Sequence, residues 1–107
     1  MRILMKEPGK DPHVMVIPND IGTIQQLIDG HVERHQLTEG LVMLVDEDGK
    51  LKNKQPNFRV AALNDTIVGT AIFCGENEKG FTDIYQHDLV VLQTFFSLNP
   101  VIIGGDS

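Results

Sequence analysis

A chain of 107 residues can enclose one hydrophobic core but hardly two, and 41% hydrophobic with 22% charged residues is the composition of a folded protein, not a disordered one. A formal net charge of −6 argues against a surface that neutralises a nucleic-acid backbone, and no apolar run approaches the ~20 residues that span a bilayer. The lone Cys74 excludes an internal disulfide, and Met1 to Pro8 lacks the apolar run of a signal peptide, so a cytoplasmic protein is expected.

Ile3 to Lys6 and His13 to Ile17 are β-prone runs separated by the turn formers of Glu7-Pro8-Gly9-Lys10-Asp11-Pro12, which predicts a hairpin. Asn19 or Asp20 can cap a helix whose apolar positions Ile21, Ile24 and Ile28 recur at helical spacing beside Leu27, and Gly30 can end it. His31 to Leu37 has weak alternation and is read as a third strand, with His31, Glu33, His35 and Leu37 on one face. Leu41 to Val45 is a continuous apolar strand that ends in the exposed turn Asp46-Glu47-Asp48-Gly49.

Leu51 to Phe58 contains Pro56 and several amides, so an ordered loop or irregular edge is expected there, followed by a short strand or helical turn over Arg59 to Leu63. Thr66 to Cys74 reads as one strand, with Gly69 marking a bulge or the close approach of another backbone, and Gly75 to Gly80 reads as a loop. Thr82 can cap a second helix through Leu98, stopped by Asn99-Pro100. Beyond it, Val101 to Ser107 suggests a short strand and a flexible end. The sum is one α+β domain over residues 1–107, a mostly antiparallel sheet in the order β-β-α-β-β-β-α packed by two helices.

The second helix is apolar on more than one stripe. Tyr85, Leu89, Leu92 and Phe96 form one row and Ile84, Val91, Phe95 and Leu98 another, more than one sheet face needs. Tyr85, Leu89, Leu92, Phe95 and Phe96 are therefore expected to supply an interface in a homo-oligomer.

Catalytic motifs are missing. His31 and His35 stand four apart, as zinc ligands on a helix often do, but no third ligand is near in sequence and the zincin order is absent. Asp46-Glu47-Asp48-Gly49 lacks the later acidic ligands of a calcium loop, because Lys50, Lys52 and Lys54 follow. Cys74 lies in an apolar run without a nucleophile motif, and no Gly-x-Ser-x-Gly elbow occurs. No metal, cofactor or enzymatic activity is expected.

Gly49 to Asn64 contains no acidic residue and holds four of the nine lysines and arginines. Lys50, Lys52, Lys54 and Arg59 can bind an anion, Asn53 and Asn57 can read its polar edges, and Phe58 can stack on a base. The competing explanation is a solvated hairpin whose lysines discourage edge pairing.

Lys6-Glu7-Pro8-Gly9-Lys10, the run Gly40 to Val45 leading to Asp48-Gly49-Lys50-Leu51, Pro56-Asn57 with Arg59, and Ile67-Val68-Gly69-Thr70 stand in a characteristic order. Over about residues 1–85 the chain resembles a small domain family of unknown function found in bacteriophages and mobile elements, chiefly of Gram-positive bacteria. That resemblance implies no catalytic residues and no cofactor. It implies an accessory protein that works by occupying something, and two functions are expected on that basis. The first is sequestration of a small anionic, nucleotide-derived ligand of bacterial immune signalling, held by the 50–59 segment of an oligomer. The alternative is a protein-protein interaction module or inhibitor that docks on a host protein through its apolar C-terminal helix.

Overall fold

Strands β1 (Arg2–Lys6) and β2 (His13–Val16) pair antiparallel with Leu4 opposite Val14, the hairpin that the turn residues between them predict. The computed structural model describes residues 1–99. The strand and flexible end expected for the tail lie outside the described residues.

Asp20 caps helix α1 (Ile21–Ile28), its carboxylate accepting the Thr23 amide at 2.7 Å and the Thr23 hydroxyl at 2.9 Å. Ile24 and Ile28 turn into the core. The helix ends on Asp29, which takes the left-handed conformation at φ 58°, and not on Gly30. Gly30 answers a different need: a Cβ there would overlap the carboxylate of Asp46.

Strands β3 (Val32–Thr38) and β4 (Leu41–Asp46) form a second antiparallel hairpin, so the weakly alternating third strand does exist. The single strand expected from Thr66 to Cys74 is instead two. Gly69, at φ 75°, turns the chain between β6 (Asp65–Val68) and β7 (Ala71–Asn77), which belong to different sheets. β6 pairs with β5 (Pro56–Val60), which runs into a 3₁₀ turn at Ala61–Leu63. The loop expected over Gly75 to Gly80 is mostly the end of β7 and a tight turn into β8 (Gly80–Thr82).

The last helix, α2, covers Gln86–Leu98 and begins later than Thr82. Thr82 is paired in β8, and the helix start is held by Asp88, whose carboxylate accepts the Tyr85 amide at 2.8 Å. At the other end Asn99 is buried, accepting the Ala61 amide at 2.8 Å and donating to the Phe95 carbonyl at 2.7 Å. The start of the tail is thereby tied to the 3₁₀ turn.

The main sheet is antiparallel with strand order β2-β1-β7-β4-β3, and β8 also pairs with β7. Its register places Leu4, Phe73 and Met43 side by side on one face and Met5, Ile72 and Leu44 on the other. The first face is covered by α2 and the β5–β6 hairpin, the second by α1. This is why β4 is buried along its whole length. The architecture is α+β, with three more strand segments than the order read from the sequence.

Phe58 joins the layers. Its ring stands 6.2 Å from that of Phe73 and, edge-on, 5.4 Å from that of Phe96 and 5.9 Å from that of Phe95. Sheet, hairpin and last helix meet in these four side chains.

Candidate functional site

The residues of the 50–59 segment do not converge on one surface. Lys50 pairs with Asp65. Asn53 turns the loop at φ 55°. Arg59 donates to the side-chain carbonyl of Asn64. Asn57 is fully buried, accepting from Lys6 Nζ at 2.8 Å and donating to the carbonyls of Lys6 and Gly69, both at 2.8 Å. Phe58, fully buried, has no face free for a base. The expected stacking and edge-reading roles of Phe58 and Asn57 are therefore corrected: both are core groups that pin β5 to the sheet.

Lys52 and Lys54 do come together, but around a carboxylate of the chain itself. Asp46 Oδ2 lies 2.7 Å from Lys54 Nζ and 2.9 Å from Lys52 Nζ, and its Oδ1 accepts the Asp48 amide at 2.9 Å. The same ammonium groups donate to the last carbonyls of α1: Lys54 to Ile28 at 2.7 Å and Asp29 at 2.8 Å, Lys52 to Asp29 at 3.0 Å. Cations at a helix C-terminus satisfy carbonyls that have no partner within the helix and complement its dipole. Burial on its own would raise the Asp46 carboxyl, yet the hydrogen bonds from Lys54 and Lys52 hold it well below the usual carboxylate range. The Asp46 bond raises the Lys52 ammonium above its ordinary value. The basic run is a clamp between α1 and the end of β4.

Lys6, a buried cation, has carbonyl partners only, Glu7 O at 2.7 Å and Asn57 Oδ1. Burial lowers its ammonium below the ordinary lysine value, against the opposing influence of Asp11 and Glu7. Cys74 is buried, and its thiol is pushed up to about 12 chiefly by desolvation, so it is a poor nucleophile. His35 faces Glu33 at 2.8 Å, and no cluster of three potential metal ligands occurs among the described residues.

The apolar residues of α2 are distributed otherwise than the expected interface. Leu92 is buried, while Leu89, Phe95 and Phe96 pack inward on the core, and only Tyr85 of that set is exposed. The solvent side carries Val90, Val91, Thr94 and Leu98 instead, beside Gln93 and Ser97, with Val90 56% and Leu98 68% exposed. From Leu89 to Leu98 there is no charged side chain. Solvent-facing helix stripes ordinarily carry charge, so this absence in the sequence was the available signal.

Beside this stripe runs a cleft of about 430 Å³ between α2, the 3₁₀ turn and β3, lined by Leu37, Val60, Ala62, Leu63, Val91 and Phe95. Arg34, His35, Gln36, Thr38 and Asn99 supply its polar lining. Arg34 is already matched by a forked ion pair with Glu76, its Nε 2.6 Å from Oε2, and the His35 ring lies against Glu33. Val91 belongs to both ridge and cleft, so the two adjoin. No helix among the described residues is long and apolar enough to cross a membrane, so the stripe is not part of a helical span.

Searches of curated proteins and of solved structures each find no match. A family model does match, over residues 1–97, which takes in all eight strands, the Asp46 clamp and nearly all of α2. The chain therefore belongs to the family described as Domain of unknown function (DUF3846).

Proposed function

We propose that this chain is a non-catalytic interaction module that docks on a protein through the outer face of α2 and the cleft beside it. The observation that carries this reading is the uncharged, mostly aliphatic stripe of Val90, Val91, Thr94 and Leu98, open to solvent on a chain of net charge −6 and adjoining a cleft with an apolar side. Exposed apolar surface costs solubility, and a partner that covers it turns that cost into affinity.

Sequestration of a nucleotide-derived anion at residues 50–59 has less to support it, because Lys50, Lys52 and Lys54 each already hold a carboxylate and Phe58 is enclosed. An incoming anion would have to displace Asp46 from two ammonium groups. Calorimetric titration with a panel of mono-, di- and cyclic nucleotides is expected to give no heat; an isotherm abolished by Lys52→Ala would restore the sequestration reading. For docking, the chain and its Val91→Asp variant are immobilised and exposed separately to soluble wild-type chain and to bacterial lysate. A protein retained by the first and released by the second is the expected result, whereas identical retention by both counts against the helix face.

A further inference from the structure

We propose that the partner seated on this face is a second copy of the chain, the two copies meeting about a two-fold axis with the α2 ridge of each lying in the cleft of the other. The proposal rests on the docking reading above and names its occupant.

Charge is the first ground. Two copies, each of net charge −6, repel wherever their acidic surfaces approach. The surface made by α2 from Leu89 to Leu98 and the 3₁₀ turn Ala61–Leu63 carries no charge, so copies can approach there without bringing like charges together. The flanking guanidinium of Arg34 is matched within the chain by Glu76. A partner of opposite charge would find no unmatched countercharge in this patch to recognise; an identical uncharged patch needs none.

Shape is the second. A closed two-fold interface brings the same patch of both copies together, so the patch must be complementary to itself. A convex ridge next to a concave cleft meets that requirement, because rotation by half a turn lays each ridge against the other copy's cleft. Size then decides how much is engaged. A helix of 13 residues is about 20 Å long and one helix wide, well short of the roughly 800 Å² per partner that a stable interface buries. The ridge alone is too small, so the cleft and exposed Leu63 must take part.

Sedimentation velocity of the full chain between ~1 and ~100 µM measures this, since 100 µM exceeds the dissociation constant of any dimer held by more than about 6 kcal/mol. The expected species has twice the mass of the 11.9 kDa chain. Thr94→Glu and Val90→Asp, both at exposed positions, are expected to weaken dimerisation at least ~30-fold with unchanged circular dichroism, as charge entering an apolar interface core does. Val16→Lys, on the unpaired edge of β2, is expected to leave the dimer intact. A monomer at 100 µM overturns the proposal, and so does a dimer that ignores both α2 variants but yields to Val16→Lys. If the chain is monomeric while Val91→Asp still loses a lysate protein, the copy is wrong and docking stands. If it is monomeric and nothing is lost, both fall.

Discussion

Replacing Asp46 with asparagine is expected to destabilise the domain by about 3 kcal/mol, within the range for removing one partner of a buried ion pair, and to lower the melting temperature by roughly 12 °C or more at this size. The Asp46 side chain is 1% exposed and faces two ammonium groups. An amide can still accept the Asp48 amide proton, but it cannot offset the charge of Lys54, whose side chain is itself only 15% exposed. Lys54→Met should therefore approach the same loss. Lys52→Met should cost much less, because that ammonium is 43% exposed and can return to water. The pH dependence follows from the direction of the shift. A carboxyl lowered in the folded state contributes stability that is complete above its unfolded value near 3.8 and disappears as pH falls through the folded value. Urea melts from pH 6 down to pH 2 should show wild-type stability falling toward that of Asp46→Asn below about pH 4. Parallel curves across the whole range would mean that Asp46 is not the charged centre of the clamp.

Much of the framework was legible because local chemistry and burial agreed. The hairpin turn at Pro8-Gly9, the Asp20 cap and the apolar run Leu41 to Val45 all appear where expected. Thr66 to Cys74 was misread for a definite reason. A β-branched run gives strand propensity but not sheet membership, and the positive φ of Gly69 sends its two halves into different sheets. The start of α2 was misplaced because Thr82 is committed to β8, while the acceptor that holds the first turn, Asp88, lies inside the helix.

The placement of the candidate site residues was misread on a different link. A cluster of lysines announces positive charge but says nothing of what already neutralises it. Asp46 stood in a run that reads as an exposed turn, so its burial beneath Lys52 and Lys54 was invisible until α1 and β4 were placed together. The periodicity of α2 likewise marked two apolar rows without telling which faced the sheet. Phe95 and Phe96 proved to be inside, and Val90 and Leu98 outside.

Phe58→Ala tests whether the layers hold as one unit. Its ring is fully enclosed and touches the sheet through Phe73 and the last helix through Phe95 and Phe96. Truncation of a buried phenylalanine costs about 3 to 5 kcal/mol, combining lost transfer free energy with the cavity left behind. The upper part of that range is expected here, because the surrounding rings come from separate elements and cannot all close on the void without shifting α2 against the sheet. The loss would also be uneven. Amide exchange in α2 and in the β5–β6 hairpin should quicken more than in β4, which is enclosed on both faces by side chains besides Phe58. Uniform acceleration across β4, β5 and α2 would mean that the hairpin and helix unfold only with the sheet. Loosening confined to α2 and the hairpin would identify them as a separable layer, the one that carries the proposed docking face.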